Sequence, residues 1–229
     1  MNRFKKDLNK ILDWDVFTWS KGLYFWDRRI SKNKFKNILE IGCGKGGICF
    51  YLVKYTNIKK VCASDINSDF KHFHNFKKFK NKIFYKKIDA LKIDFSDQTF
   101  DAVCFKSVLG GILEYDKTYK LDIVFKEINR VLKDEGELLF MENLRGSIFH
   151  SLLRKIFRPW GKRWNYLSFY KLNSTLNNYF ESYEIRTFGF FSVFISDKFI
   201  IKKIFNLLDN LLIFKNLNYM CYGYGKKKS

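Results

Sequence analysis

The sequence predicts an α/β fold, and three observations predict it. Residues 38–47 read ILEIGCGKGG, an apolar run that reaches Glu40 and then breaks into Gly42, Gly44, Gly46 and Gly47. A buried strand, a tight loop and the start of a helix are written this way. Short apolar runs then alternate with segments of helical period along the rest of the chain. Finally, 229 residues with 47% hydrophobic and 29% charged side chains suit the core of one α/β domain.

Taken in order, residues 4–30 read as a helix broken near Trp19 and Ser20, with Phe17, Trp19, Leu23, Phe25 and Trp26 on an aromatic face. Such a face packs on a core or covers a bound ligand, with its rings toward a cation. Trp19 is the candidate for the second role. Residues 37–41 are the first strand, 46–55 the helix after the loop, and 60–64 the second strand, which ends at Asp65. Asp65 lies roughly 20 residues past the glycines, where a ribose-binding carboxylate belongs. Its competing role is to cap the following helix. In the ribose reading Ile66 packs on an adenine ring. A Lys/Phe-rich helix over 69–80 and strands over 82–87 and 100–107 follow. Residues 120–132 carry a helical stripe of Ile123, Val124, Ile128, Val131 and Leu132, and 136–143 form the fifth strand.

Residues 144–170 leave this pattern. Arg154, Lys155, Arg158, Lys162 and Arg163 stand among large apolar groups around Pro159, the only proline. On a helix Phe149, Leu152, Leu153, Ile156 and Phe157 share one face. That face is expected to pack as a wall, while the cations beside it also suit an anionic membrane surface. Residues 172–179 read as a helix, 181–195 as the sixth strand, 198–212 as an apolar helix, and 218–225 as the seventh strand before a basic tail.

The glycine loop allows two ligands. Gly42, Gly44 and Gly47 satisfy G-x-G-x-x-G, which presents a pyrophosphate to a helix N-terminus. Glu40, Gly42, Gly44 and Gly46 also satisfy (D/E)-x-G-x-G-x-G, which resembles motif I of the class I S-adenosylmethionine-dependent methyltransferases. An acidic side chain beside the loop attracts the sulfonium and ammonium of that cofactor and repels a pyrophosphate, so Glu40 favours it. Residues 89–112, DALKIDFSDQTFDAVCFKSVLGGI, resemble the D-A-x-x-x-P-F-x-D-x-x-F-D-x-V segment of the ubiquinone-biosynthesis-like members. Residues 127–143, EINRVLKDEGELLFMEN, are similar to their x-x-R-V-L-K-P-G-G-x-L-x-x-x-E signature. Asp94-Phe95 replaces the usual Pro-Phe, and Leu109-Gly110-Gly111-Ile112 stands where the family often carries a histidine.

The resemblance implies a three-layer Rossmann-like α/β fold with a mostly parallel seven-stranded sheet, order 3-2-1-4-5-7-6 and strand seven antiparallel. It implies one methyltransferase domain over 1–229, with 1–36 as a helical cover and 144–180 as a substrate cap. S-adenosylmethionine would meet Glu40, Gly42, Cys43, Gly44, Gly46, Asp65, Ile66, Asp89, Ala90, Lys106 and Ser107, with Asp89 accepting from the adenine amino group. Glu142 and Asn143, at a strand's carboxyl end, are the acceptor-site candidates, with capping of the next segment as their alternative role. No general base can be assigned.

The expected acceptor is a small molecule or a glycan- or lipid-linked group, met in the cytoplasm or at the membrane periphery through 145–164. Adenine- and pyrimidine-type nucleic-acid methyltransferases need Pro-Pro or Pro-Cys, which a chain with one proline followed by tryptophan lacks. An RNA acceptor, an NAD(P)-dependent oxidoreductase and a noncatalytic cofactor-binding module are the alternative readings. The formal charge of +20 has two readings, attraction to a polyanion or a compositional bias toward Lys, Asn, Ile, Phe and Tyr. The five cysteines are scattered, with no C-x-x-C pair, and read as core residues in a reducing compartment. With only three histidines no zinc pattern is complete.

Overall fold

A computed structural model describes residues 3–67, 79, 81–114, 117–157, 164–191, 209 and 214–228, the side chains of 153–157 excepted. Its strands are β1 (Asn37–Ile41), β2 (Lys60–Asp65), β3 (Ile83–Lys87), β4 (Phe100–Lys106), β5 (Leu132–Asn143), β6 (Phe180–Phe188) and β7 (Met220–Lys227). They form one sheet in the order β3-β2-β1-β4-β5-β7-β6. Neighbours from β3 to β5 pair in parallel, and β7 runs antiparallel to both β5 and β6. This is the order and direction that the family resemblance implies.

The described helices are α1 (Leu8–Leu12), α2 (Val16–Asn33), α3 (Gly47–Tyr55), α4 (Leu109–Ile112), α5 (Lys120–Val131), α6 (Ile148–Phe157) and α7 (Phe169–Tyr179). The central strands are apolar on both faces, as parallel strands covered by helices must be. Ile38, Ala102, Cys104, Leu139 and Met141 face the layer that holds α1, α2 and α3. Leu39, Ile41, Val103, Phe105, Leu138 and Phe140 face the layer that holds α5 and α7. On α2, Trp19, Leu23, Trp26 and Ile30 recur at helical spacing and are all buried. Each such side chain contributes about 1.5–3 kcal/mol on burial, which holds α2 against β5 and β7.

Strand β5 begins at Leu132, four residues before the expected start, and four further boundaries differ from expectation. The N-terminal helix breaks at Asp13–Asp15 rather than at Trp19–Ser20. Asp13 and Asp15 take left-handed backbone angles, φ 67° and 42°, which aspartate tolerates better than most residues. The Thr18 hydroxyl donates to Asp15 at 2.7 Å and starts α2. Helix α7 begins at Phe169, because the Ser168 side chain accepts the Lys171 amide. Strand β6 stops at Phe188, ahead of Gly189 with φ 81°. The expected basic tail is part of β7: Glu137 pairs with Lys226 in register, and Lys227 Nζ donates to the Leu132 carbonyl at 2.7 Å. The helices expected over 69–80 and 198–212 lie almost wholly outside the described residues.

Helix α6 turns differently from the expected wall. His150 is the inward residue, its ring stacked on Tyr219 with centroids 5.6 Å apart. Ile148, Phe149 and Leu152 are therefore exposed, at 78%, 68% and 52%. The side chains of Leu153, Ile156 and Phe157 lie outside the described residues.

Candidate active site

The carboxyl ends of β1, β2, β4 and β5 converge on the glycine loop, the place where open α/β sheets bind ligands. The loop is tied down by its own backbone: Cys43 N–H donates to the Ser64 carbonyl at 2.8 Å and Gly46 N–H to the Cys43 carbonyl at 2.7 Å. Gly44 has φ +48°, and a Cβ built there would meet nothing within 4 Å. The backbone is thus left-handed at a point that faces open space, which both favours glycine and leaves room for a ligand. Cys43 is buried, and burial pushes its thiol far above the ordinary range, so it carries no thiolate.

Three carboxylates stand at or just past the ends of β1, β2 and β3 in different settings. Glu40 is 2% exposed. Burial raises its pKa to about 8, against a hydrogen bond from Cys49 Sγ and the positive charge of Lys106, which lower it. The sequence suggests an anion beside the loop; burial instead makes Glu40 an acid that a neighbouring cation would ionise. Asp65 ends β2, with Oδ2 accepting the Gly44 amide and Oδ1 the Asn67 amide, each at 3.0 Å. Ile66, next to it, is exposed. Asp89 accepts the Leu91 amide at 2.9 Å in a tight turn, with Ala90 buried beside it.

At the end of β4, Lys106 Nζ lies 4.5 Å from the Trp14 ring centroid and 5.2 Å from that of Trp19. Burial lowers its pKa to about 8, while Asp13, Glu142, Glu40 and Asp15 pull the other way. Ser107 has φ 54° and accepts from Asn143 Nδ2 at 2.6 Å. Asn143 is 5% exposed, and its Oδ1 is buried without a hydrogen-bond partner among the described residues. An orphaned acceptor at that depth carries a desolvation cost of about 1–3 kcal/mol.

Glu142 is fully committed. It accepts amides from Val108, Leu109 and Asn143, each at 2.8 Å, and so holds the turn from β4 into α4. Burial nonetheless raises its pKa to about 7.

Residues 39–140, from within β1 to within β5, match the family model described as a methyltransferase domain. This stretch, a little under half of the chain, matches a methyltransferase domain in sequence, and the sheet that contains it has the strand order of the class I methyltransferase fold. Among curated relatives, the chain is 30% identical over 108 residues to a fatty-acid O-methyltransferase of Mycolicibacterium smegmatis, covering 47% of this chain and 37% of that protein. It is 31% identical over 106 residues to a sterol 24-C-methyltransferase of Yarrowia lipolytica, covering 43% and 25%. The match therefore spans well under half the length of either. Among solved structures, a Haemonchus contortus phosphoethanolamine N-methyltransferase 2, bound to phosphomonomethylethanolamine and S-adenosylhomocysteine, superposes with a TM-score of 0.63. At 15% identity, over 92% of this chain and 53% of that one, the likeness is one of fold.

Three features of this methyltransferase domain and its flanks escape sequence reasoning. Where the family often has a histidine, the Trp164 ring lies on Gly110, and a Cβ there would come within 2.6 Å of it. The Asp13–Asp15 corner brings Trp14 onto Lys106, and nothing local in either stretch signals the meeting. His150 Nδ1 lies 2.7 Å from Ser147 Oγ and accepts the Ser147 amide, while Nε2 faces the Phe190 carbonyl at 2.9 Å. That pattern places the ring proton on Nε2. The only signal in sequence is an isolated histidine within an apolar run.

Proposed function

We propose that the chain transfers a methyl group from S-adenosylmethionine to a lipid-like small acceptor that arrives as an anion. The carrying observation is Gly44, left-handed and facing open space, with its amide on Asp65. In this reading Glu40, Gly42, Cys43, Gly44, Gly46, Ser107 and the backbone of Lys106 surround the methionine end of the cofactor. Asp65 takes the ribose hydroxyls, Asp89 the adenine amino group, and Ile66 and Ala90 flank the ring. A carboxylate acceptor attacks the methyl carbon in line; the carbon–sulfur bond breaks and its electron pair stays on sulfur as a neutral thioether. No proton moves, so no base is required, and the site's task is to align and desolvate the nucleophile. The fatty-acid O-methyltransferase relative supports this acceptor class. Asn143, whose Nδ2 already donates to Ser107, is proposed to line the acceptor side, with its unpartnered Oδ1 open to a donor and not to the carboxylate itself. Glu142, held by three amides, is a positioning residue.

We place all of this in one domain, with residues 1–36 covering the cofactor and 144–180 capping the acceptor. The exposed Ile148, Phe149 and Leu152 on α6, followed in the sequence by Arg154, Lys155 and Arg158, favour an anionic bilayer as the surface from which the acceptor is taken. No helix among the described residues is long and apolar enough to cross a membrane, so contact would be peripheral through these residues. Calorimetry with S-adenosylmethionine and with NADH tests the cofactor: the first is expected to bind, and tight NADH binding alone would reject the reading. Radiolabelled methyl transfer to fatty acids, sterols and RNA tests the acceptor, with label expected in the fatty-acid fraction.

A further inference from the structure

Lys106 sits in surroundings that suit a cation but do not suit an ammonium. Its Nζ lies against two perpendicular tryptophan rings, Trp14 and Trp19, whose centroids are 5.4 Å apart at 90°. Four carboxylates act on it electrostatically, from Asp13 and Asp15 on the α1–α2 corner, Glu40 on β1 and Glu142 on β5. None of them bonds to it. Asp13 pairs with Lys45, Asp15 takes the Thr18 hydroxyl, Glu40 takes Cys49 Sγ, and Glu142 takes three amides. Lys106 Nζ thus makes no hydrogen bond among the described residues, although an ammonium carries three donors.

Aromatic faces and nearby negative charge stabilise any cation. The absence of an acceptor penalises only cations that carry N–H groups. A sulfonium is charged and has no such donor. We infer that the Trp14–Trp19 pair and the carboxylates around it form a sulfonium cage, which the Lys106 side chain fills in the free protein and vacates when the methyl donor binds. The inference rests on the S-adenosylmethionine reading and specifies its cation subsite. Trp14 is 42% exposed, so the cage has an open side through which a flexible lysine stem can leave.

Competition for one cage makes donor binding sensitive to the charge on Lys106, whose ammonium loses its proton at about pH 8. Between pH 7 and pH 9 the neutral fraction rises about tenfold, and affinity for the sulfonium follows it. The test is calorimetric titration of wild type, Lys106→Met and Trp14→Leu with S-adenosylmethionine and with S-adenosylhomocysteine, the neutral thioether, at both pH values. The ligands carry the same α-amino group, and its titration is common to all the proteins. In the wild type, the preference for the sulfonium over the thioether should rise about tenfold from pH 7 to pH 9. In Lys106→Met that preference should already be high at pH 7 and rise less than in the wild type, the remaining rise being the ionisation of Glu40 at about pH 8, and Lys106→Met combined with Glu40→Gln should be flat. Trp14→Leu should lower it about fivefold, the scale of one cation–π contact, with thioether binding unchanged. A wild-type pH slope that persists undiminished in Lys106→Met and in its combination with Glu40→Gln, or a lower sulfonium preference in Lys106→Met, overturns the cage while leaving cofactor binding intact. If neither ligand binds the wild type, the S-adenosylmethionine reading fails, and the cage with it.

Discussion

Replacing Glu40 by Gln should flatten the fall in the protein's stability as pH rises from 5 to 8. The wild-type carboxyl lies at the end of β1, 2% exposed, with its pKa raised by burial from 4.5 to about 8. The folded chain therefore holds a proton that the unfolded chain has lost throughout that interval. More protons on the folded state mean that stability falls as pH rises, the reverse of an ordinary paired carboxylate. Integrated from pH 5 to pH 8, Glu40 alone costs about 3 kcal/mol of stability, taking one pH unit as about 1.4 kcal/mol. Gln keeps an oxygen that Cys49 Sγ can use and removes the titration. Urea unfolding of wild type and Glu40→Gln at pH 5, 6, 7 and 8 measures the difference. The curves should converge at pH 5, with the variant more stable by about 3 kcal/mol at pH 8. Glu142, raised to about 7, adds a slope of the same sign to both proteins and cancels in the comparison. Parallel curves would mean that Glu40 is ionised in the folded chain, and the account of its burial would be wrong.

Other substitutions probe the site and the sheet. Asp65→Ala and Asp89→Ala should each weaken S-adenosylmethionine binding by about 1–3 kcal/mol, read by calorimetry; a folded Asp65→Ala protein that binds like the parent removes the ribose role. Gly44→Val should abolish detectable binding, because a branched side chain would occupy the open space and strain a left-handed backbone; binding within twofold of wild type would place the cofactor elsewhere. Gly223→Ala should destabilise by about 1–3 kcal/mol in urea, since its Cβ would overlap the Glu184 carbonyl oxygen; unchanged stability would contradict the β6–β7 pairing. Vesicles of anionic lipid should sediment the wild type, less so at high salt, and Phe149→Ser with Leu152→Ser should reduce it; equal sedimentation of the two would exclude α6 as the contact.

The sequence by itself determined the elements whose causes are local. Residues 38–47 encode strand, turn and helix through apolarity and glycine spacing, and β1 and α3 lie where that spacing places them. The strand order came only with the family resemblance that the segments around Asp89 and Arg130 carry, and the sheet has that order. Tertiary structure decided whatever depends on residues distant along the chain. Glu142 reads as an acceptor candidate until the amides of Val108 and Leu109 meet it. Lys226 and Lys227 read as a tail until β5 offers them partners. The inward turn of His150 needed Tyr219, and the setting of Lys106 needed Trp14, brought by two left-handed aspartates. A period or a turn residue acts on its neighbours and can be read from them. Burial of a charge, and the partners that answer it, arise only when strands and loops from different parts of the chain close on the same point.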